Sequence, residues 1–199
     1  AGGEITVTVP TQVALYLLNK KRHHVVAVEQ RYDFRISVET DDHLATTVAV
    51  ALSAELADRG LTTLLVDADP YGGAVAQHLG VLDEVSGLLA AARAANAGRL
   101  DPTALARLCR SVGEGLRLLT GLPRADRWVE VRPAAFDELL HQARCLGDRV
   151  VVDHGLSLEE DGDPFAAAPR RNGMTLDTLE RADELVVVGS ADPVGLARL

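Results

Sequence analysis

The sequence contains few aromatic residues, only two cysteines and only two lysines. Of its 199 residues 4% are aromatic and 47% are apolar, so a core must be built mainly from alanine, valine and leucine, as is typical of helices packed on a sheet. Cys109 and Cys145 lie far apart without a CxxC pattern, which predicts reduced thiols. No apolar run approaches the roughly 20 residues of a membrane span. Since no signal peptide precedes the first strand, these absences predict a soluble cytoplasmic protein.

Basic residues are outnumbered, and their type changes along the chain. The net charge of −9 argues against a broad nucleic-acid-binding face, which needs an excess of basic side chains. Residues 1–45 contain both lysines, Lys20 and Lys21, and carry 5 basic against 6 acidic side chains. Residues 46–199 carry 15 basic side chains, all arginine, against 23 acidic ones. This shift predicts two domains of different origin, 1–45 and 46–199.

The first 45 residues show the pattern of a strand, a helix and a second strand. "EITVTVP" (4–10) alternates apolar and polar residues and stops at a proline, and "FRISVET" (34–40) is a second candidate strand. Between them, residues 11–33 place apolar side chains roughly on one helical face. Those side chains are Val13, Leu17, Val25 and Val28. A unit of about 40 residues is too small to bury a core by itself.

Within this segment, "VTVPTQVALYLLNKKRHH" carries a family resemblance. Residues 4–42 resemble the small C-terminal subdomain of the ribonuclease E/G family, in which a strand ending in proline leads into a helix with a "YLLN-x-KR" core. The family's S1-type RNA-binding fold, metal-binding aspartates and zinc-linking cysteines are not among these residues. The resemblance makes Lys20, Lys21 and Arg22 candidates for RNA or phosphate contacts. The alternative is a solvated helix face.

The rest of the chain alternates helices with continuous apolar strands. The candidate helices lie at 46–60, 83–96, 101–112 and 132–147. The candidate strands lie at 61–69, 116–121, 149–155 and 184–190. This alternation predicts an α/β fold with a mostly parallel sheet flanked by helices on both sides. In such sheets ligands bind at the carboxyl ends of the strands, which is where Asp67, Asp69 and Asp153 fall.

Three motifs follow one another in this region: "LLVDADPYGGAVAQHLG", "RVVVDHG" and "VVVGSADPVGLARL". In this order they resemble ParA/MinD-type P-loop ATPases, and the resemblance covers residues 46–199. "GLLAAARAANAGRLD", "LLTGLPRADRW" and "APRRN" are most similar to the actinobacterial branch of septum-site and pilus-assembly proteins. The resemblance implies a P-loop NTPase-like fold, ATP with magnesium, and a homodimer. Because the family continues through another helix and strand, it also implies a domain truncated at its C-terminus.

The resemblance assigns roles to individual residues. Asp67 would lie near the attacking water or the magnesium shell, and Asp69 would help to hold the switch segment, so both are candidate catalytic residues. Asp153, as the Walker B acid, and Thr46, in the place of the P-loop hydroxyl, would hold magnesium. The candidate nucleotide-binding residues are Thr46, Thr47, Asp192 and Pro193.

Two arginines and the acidic residues also have a structural interpretation. Arg170 and Arg171 are candidates for phosphate or partner contacts by the same resemblance. Arginine pairs usually solvate a surface, however, and acidic residues at strand ends commonly cap the following helices. Both interpretations remain open at this point.

The phosphate-binding loop of that family lacks its essential residues here. The family pattern, roughly G-G-x-G-[KT]-T-T, aligns with "DDHLATT" (41–47), which has no glycine and has Ala45 in place of lysine or threonine. Glycines let backbone N–H groups converge on phosphates, and lysine neutralises their charge. Asp41 and Asp42 would instead cap the following helix and repel a triphosphate. The sequence therefore predicts a degenerate Walker A motif with weak or no ATP hydrolysis.

The junction near residue 45 allows two arrangements. In the one that we expect, residues 34–39 supply the strand that normally precedes the P-loop; in the other, residues 1–45 pack separately. The leading hypothesis is a ParA/MinD-like nucleotide-binding protein acting as a positioning or partner-binding module. The alternatives are an RNA-associated fragment of a ribonuclease E/G-like protein and a non-catalytic fusion product.

Overall fold

The structure is a computed structural model in which the chain divides into two units. The described residues are 3–9, 22–32, 34–40, 44–82, 85–155, 157–159 and 170–188. One unit comprises residues 1–45 and 186–199, and the other comprises residues 46–185. Asp41, Asp42, Lys20, Lys21, Asp192 and Pro193 lie outside the described residues.

The first unit contains a parallel pair of strands and one described helix. Strand β1 (Gly3–Val9) pairs with β2 (Phe34–Thr40), with Gly3 opposite Phe34 and Val9 opposite Thr40. Helix α1 (Arg22–Tyr32) precedes β2 and has no buried residue. The first half of the helix expected at 11–33 lies outside the described residues, and the second half is helical.

The expectation that residues 34–39 supply the missing first strand of the second unit is wrong. Strand β2 pairs with β1 along its whole length in a two-stranded sheet, and the larger sheet is formed by other strands. The 24 residues between the two strands, 10–33, are long enough for the crossover connection that a parallel pair needs.

The second unit is an α/β structure around a four-stranded sheet. Its elements are α2 (Leu44–Asp58, which begins in the first unit), β3 (Thr63–Ala68), α3 (Val75–His78), α4 (Gly87–Asn96), α5 (Pro102–Leu108), β4 (Arg110–Gly113), β5 (Leu116–Leu119), a 3₁₀ helix (Ala125–Glu130), α6 (Pro133–Ala143), β6 (Arg149–His154) and α7 (Gly173–Arg181). The strand order is β4-β5-β3-β6. Strand β3 is parallel to β5 and β6, and β4 is antiparallel to β5. The predicted α/β fold with a mostly parallel sheet flanked by helices is confirmed.

Strand β3 is buried at all six positions because helices cover both of its faces. Leu64 and Val66 belong to the larger core cluster, which includes Phe136 of α6 and residues of α4 and α5. Leu65, which points to the opposite face because side chains alternate along a strand, belongs to a smaller cluster against which Val50 of α2 packs. A strand apolar at consecutive positions is what a parallel sheet covered on both faces requires.

The helix expected at 101–112 is shorter than its apolar pattern suggests. Asp101 caps α5 by accepting a hydrogen bond from the backbone N–H of Ala104, and the helix ends at Leu108. Residues 110–112 instead form most of β4, which turns back into β5 through Gly115 at a φ of 71°. A positive φ favours glycine, so this turn fixes the hairpin and ends the helix early.

The strand expected at 184–190 does not form in its described part, 184–188. Leu185, Val186 and Val187 are each 60% exposed. An apolar run becomes a strand only where a neighbouring strand takes its backbone hydrogen bonds, and no described strand pairs with it. Among the described helices, none combines the length and apolar character needed to cross a membrane.

Candidate functional site

Two acidic residues meet at the carboxyl edge of the larger sheet. Strands β3 and β6 are in register, so that Asp67 lies opposite Asp153. Both side chains are buried, with 1% of Asp67 and 5% of Asp153 exposed. Neighbouring strands lie about 4.8 Å apart, so the two carboxyl groups form a close buried pair.

Thr46 joins this pair from the first turn of α2. Its Oγ1 donates a hydrogen bond of 2.7 Å to Oδ2 of Asp153, across 107 positions of the sequence. Thr46 is 6% exposed. The structure therefore brings together Thr46, Asp67 and Asp153, three residues that the sequence placed on separate elements.

Thr47 faces another partner. Its Oγ1 lies 3.3 Å from Nε2 of His78, and Nδ1 of the same ring lies 3.1 Å from the carbonyl oxygen of Ala74. Because a carbonyl only accepts, Nδ1 is assigned the hydrogen and Nε2 then accepts from the Thr47 hydroxyl. The hydrogen bond of Thr47 thus links α2 to α3 and is directed to His78 rather than to the acidic pair.

The carboxylate of Asp67 is enclosed by backbone. Its Oδ2 accepts a hydrogen bond of 3.2 Å from the N–H of Val75, and its Oδ1 accepts a longer one, 3.4 Å, from the N–H of Asp69. A Cβ atom at Gly73 or Gly121 would lie closer than 3.0 Å to this carboxylate. Glycine is therefore needed at both positions so that the backbone can approach the acid.

The ionisation of Asp67 is perturbed by this enclosure. Burial, followed by the negative charge of Asp153, raises the pKa of Asp67 to about 7. The hydrogen bonds from Val75 and Asp69 lower the pKa, but not enough to cancel these effects. At neutral pH the carboxyl group can both hold and release a proton.

Asp69 organises the loop that follows β3. Its Oδ1 accepts a hydrogen bond of 2.9 Å from the N–H of Tyr71, which closes a tight turn. Gly155, just after β6, packs so closely that a Cβ there would lie 3.0 Å from Asp69 and from Pro70. The loop after β3 is therefore packed against the loop after β6.

A second cluster, which the sequence indicated only through its arginine, ties the same two loops together. Asn172 is 1% exposed, and its Oδ1 accepts a hydrogen bond of 2.9 Å from the hydroxyl of Tyr71. Its Nδ2 donates to Oγ of Ser157 at 3.1 Å and to the carbonyl of Glu159 at 2.8 Å. The guanidinium of Arg171 lies 4.1 Å from the centre of the Tyr71 ring. Asn172 ends the "APRRN" motif, but the sequence assigned it no role, because that role depends on loops that meet only in the folded chain.

Arg22 and Arg170, two further candidate residues, make no described contact with Thr46, Asp67 or Asp153. Arg22 is the first residue of α1 and is exposed. The carbonyl of Arg170 accepts a hydrogen bond from the N–H of Gly173 at 3.0 Å, at the start of α7.

The donor set at the acidic pair fits magnesium better than it fits a phosphate. Magnesium takes oxygen ligands and keeps several of its waters. The Thr46 hydroxyl and the Asp153 carboxylate are therefore ligands of a suitable type. No group of three or more His, Cys, Asp or Glu side chains that would hold a metal alone occurs in the described part of the chain. Residues 41–47, where the resemblance places the phosphate-binding loop, have no glycine.

A shallow cleft lies at the opposite end of the sheet, where β3 and β5 begin. Its volume is about 570 Å³, and it is lined by Ala57, Asp58, Gly60, Thr62, Glu114 and Gly115. Since ligands of parallel α/β sheets bind at the carboxyl ends of the strands, we place the candidate site at the acidic pair.

Comparison with known sequences finds a family match for the N-terminal part of the chain. A family model described as "RNase E/G, Thioredoxin-like domain" matches residues 1–52. The resemblance to ribonuclease E/G predicted for residues 4–42 is confirmed, and the match continues into α2. A search of curated proteins finds no match.

Comparison with solved structures identifies the fold of the larger part. A ParA family ATPase from Chlorobium tepidum TLS is 24% identical with a TM-score of 0.60, over 79% of this chain and 58% of that one. A putative plasmid partition protein from Borrelia burgdorferi B31, solved bound to AMPPNP, is 14% identical with a TM-score of 0.54, over 77% and 59%. The cell division ATPase MinD of Pyrococcus furiosus is 22% identical with a TM-score of 0.48, over 60% and 48%.

In each of these alignments the chain spans less than two thirds of the solved structure. At such identities the likeness establishes the fold. The protein therefore has the fold of the ParA ATPases, preceded by a segment that matches the thioredoxin-like domain of ribonuclease E/G.

Proposed function

We propose that the protein is a ParA/MinD-like nucleotide-binding protein with a degenerate phosphate-binding loop, acting as a positioning or partner-binding module. The observation that carries this proposal is the 2.7 Å hydrogen bond from Thr46 to Asp153. It joins the first turn of a helix to the buried Asp153 near the end of the half-buried strand β6, with Asp67 beside it. This matches the roles that the ParA/MinD resemblance gives to the magnesium-binding hydroxyl and the Walker B acid.

Magnesium fits this function through the same residues. Thr46 and Asp153 would hold the ion, directly or through its waters, and the ion would neutralise phosphate charge. Asp67, whose pKa is raised to about 7, can accept a proton at neutral pH. Asp69 holds the loop through the N–H of Tyr71.

Hydrolysis is expected to be weak or absent. Residues 41–47 supply no glycine, and no lysine follows Lys21. The phosphates would then lack both the backbone donors and the point charge that P-loop proteins use. A homodimer formed around nucleotide is part of the same proposal, and light scattering with and without Mg·ATP tests it.

Isothermal titration with Mg·ATP tests nucleotide binding. Thr46→Val removes the hydroxyl but keeps the shape of the side chain, so we expect binding at least about tenfold weaker than in the unchanged protein. Thr103→Val, at an exposed position of α5, is the matched control and should bind as the unchanged protein does. An absence of heat at millimolar nucleotide would refute nucleotide binding and leave only a partner-binding role.

An RNA-associated role is the second candidate, favoured by the family match over residues 1–52. Arg22, His23 and His24 are exposed at the start of α1. Filter binding of single-stranded RNA should weaken steeply with salt if these residues neutralise phosphates. Arg22→Gln should weaken it more than Arg31→Gln at the far end of the helix. Salt-insensitive or undetectable binding would exclude this role.

The third candidate is a non-catalytic fusion product without a ligand. It predicts that neither Mg·ATP nor RNA raises the melting temperature, because only a ligand that binds the native state stabilises it. A ligand-induced rise with either would exclude it.

A further inference from the structure

The outer edge of β2 is closed by a side chain of the helix that precedes it. The backbone N–H of Ile36 donates a hydrogen bond of 2.7 Å to Oε1 of Glu29 in α1. A donor used by Glu29 is not available to β1, and successive N–H groups of a strand point to opposite edges, so Ile36 faces away from β1. A strand that approached this edge would find a central donor already occupied.

The same alternation shows which groups of β1 face outward. In a parallel pair, a residue that faces the neighbouring strand is aligned with one that faces away. Ile36 is aligned with Ile5, so Ile5 faces β2. The N–H and C=O groups on the outer edge of β1 therefore belong to Glu4, Thr6 and Thr8. Among the described strands, none pairs with this edge.

The composition of β1 favours pairing with a further strand. Residues 5–9 are all β-branched, which favours extended structure. Residues 3–9 contain neither proline nor lysine, the residues that commonly protect a sheet edge. A two-stranded sheet is also marginally stable by itself, and α1 buries no residue. The first unit is therefore stabilised if a strand is added on the β1 side.

We propose that β1 pairs with β1 of a second copy in antiparallel orientation, which makes a four-stranded sheet in the order β2-β1-β1-β2. The strand is self-complementary in the register centred on Thr6. In this register Thr6 lies opposite Thr6 and Glu4 opposite Thr8, as hydrogen-bonded pairs, and Ile5 lies opposite Val7. No like charges meet, because Glu4 is the only charged residue of β1.

Glu29 sets the size of the assembly. In the four-stranded sheet both outer edges are β2 strands, and each is closed by its own Glu29. The sheet therefore stops at two copies, as a closed two-fold interface does. This dimer requires neither nucleotide nor Thr46, so it is distinct from a homodimer formed around nucleotide.

Sedimentation velocity of the full chain, without nucleotide or magnesium, tests the proposal. We expect a monomer–dimer equilibrium that shifts towards the dimer as the protein concentration rises. Thr6→Pro removes the central outward donor of β1 and keeps the pairing with β2, because proline is tolerated where the N–H faces away from the sheet. It should weaken dimerisation by at least about tenfold. Val38→Pro, whose N–H faces the outer edge of β2, is the matched control and should dimerise as the unchanged protein does.

A monomer at every concentration, or equal weakening in the two proline variants, would overturn the proposal. A dimer formed without nucleotide and unresponsive to Mg·ATP would support this interface while refuting the nucleotide-binding function.

An NMR measurement on the unchanged protein decides the question even if Thr6→Pro does not fold. Ile5 and Val7 of different copies form a non-hydrogen-bonded pair in the proposed register, with Cα atoms about 4.5 Å apart. A mixture of ¹³C-labelled and unlabelled copies should therefore show an intermolecular NOE between their Hα protons. A dimeric sample without this NOE would place the interface elsewhere and overturn the proposal.

Glu29→Ala tests why the interface lies at β1. The variant frees the Ile36 N–H at the outer edge of β2, so we expect species larger than a dimer. Gln30→Ala, at the exposed next position of α1, is the matched control and should remain dimeric. A Glu29→Ala protein that also stops at the dimer would overturn the role of Glu29, and with it the assignment of the interface to β1.

Discussion

At the scale of single residues, the raised pKa of Asp67 couples stability to pH. The pKa is 3.8 for an unperturbed aspartate and about 7 in the folded protein, so the native state binds the proton more tightly than the unfolded state. The free energy of unfolding therefore falls as pH rises from about 4 to about 7 and stays level above that. A shift of about three pKa units corresponds to at most roughly 4 kcal/mol.

Asp67→Asn removes this titration. We expect the unchanged protein to lose unfolding free energy relative to Asp67→Asn as the pH rises from 4.5 to 8. Urea denaturation at each pH measures this difference. Asp58→Asn, at an exposed position of α2, controls for loss of one carboxylate. Parallel pH profiles for the unchanged protein and Asp67→Asn would contradict the raised pKa.

Gly121 is a second residue-scale determinant of the site. Gly121→Ala would place a Cβ closer than 3.0 Å to the Asp67 carboxylate, so we expect a loss of about 1–3 kcal/mol in urea denaturation. The loss should shrink in an Asp67→Ala background, since the clash is with that side chain. At Gly113 the nearest atom to an added Cβ is 3.8 Å away, and Gly113→Ala should change stability by less than about 0.5 kcal/mol. An undiminished loss in the double variant would locate the clash elsewhere.

The residues of the acidic site could largely be predicted from the sequence, whereas the residues that surround them could not. Asp67 and Asp153 end apolar strands, and the edge at which parallel strands end is common to both, so their proximity follows from the pattern. Gly121 and Asn172 come from loops whose approach depends on the packing of the whole sheet. A single sequence holds no local signal for such contacts.

At the scale of elements, the loops after β3 and β6 are joined by the hydrogen bond from Tyr71 to Asn172. Tyr71→Phe removes the hydroxyl and leaves the Asn172 acceptor unpaired, so we expect a loss of about 1 kcal/mol in the free energy of unfolding. Amide exchange at residues 157–159 should also become faster, because Asn172 anchors that segment. Unchanged exchange at 157–159 would show that Ser157 and Glu159 hold the loop without Tyr71.

Parallel strands with continuous apolar runs were the most predictable elements. β3, β5 and β6 were found from such runs, although only β3 is buried at every position. The strand predicted from the equally apolar run at 184–190 does not form in its described part. An apolar run indicates a tendency to be buried, but it does not indicate that a neighbouring strand is present. β4 was missed because its four residues alternate between half-buried and exposed positions. Helix α7 was missed because only four of its nine residues are buried.

At the scale of the whole molecule, the buried apolar clusters formed by the described residues lie in the second unit. Both clusters draw their described members from residues 46–185, whereas α1 in the first unit buries no residue. Local unfolding free energy follows buried apolar contact. Amides of β3 should therefore exchange on the order of 100-fold more slowly than those of α1 in hydrogen-exchange mass spectrometry. Similar rates in the two elements would contradict this.

The two family resemblances were also visible before the fold was known. Ordered motifs predicted the ParA-type fold, and one short sequence motif predicted the ribonuclease E/G match. The choice of partner for β2 was not predictable, since the same apolar strand satisfies either sheet. Pairing with β1 is a property of the complete chain and is not encoded in residues 34–40 alone.

The enclosure of Asp67 by two glycines has a consequence for how the sequence can diverge. While an aspartate occupies position 67, positions 73 and 121 accept only glycine, because any Cβ meets the carboxylate. Replacement of the acid by a smaller residue removes the atoms that an added Cβ would meet first at both places. Relatives in which the acid is retained should therefore show glycine at both sites, and lineages that lose it should accumulate larger residues there. Positions 67, 73 and 121 should therefore covary among relatives, and their residues should indicate whether the acid is still under selection in a given lineage.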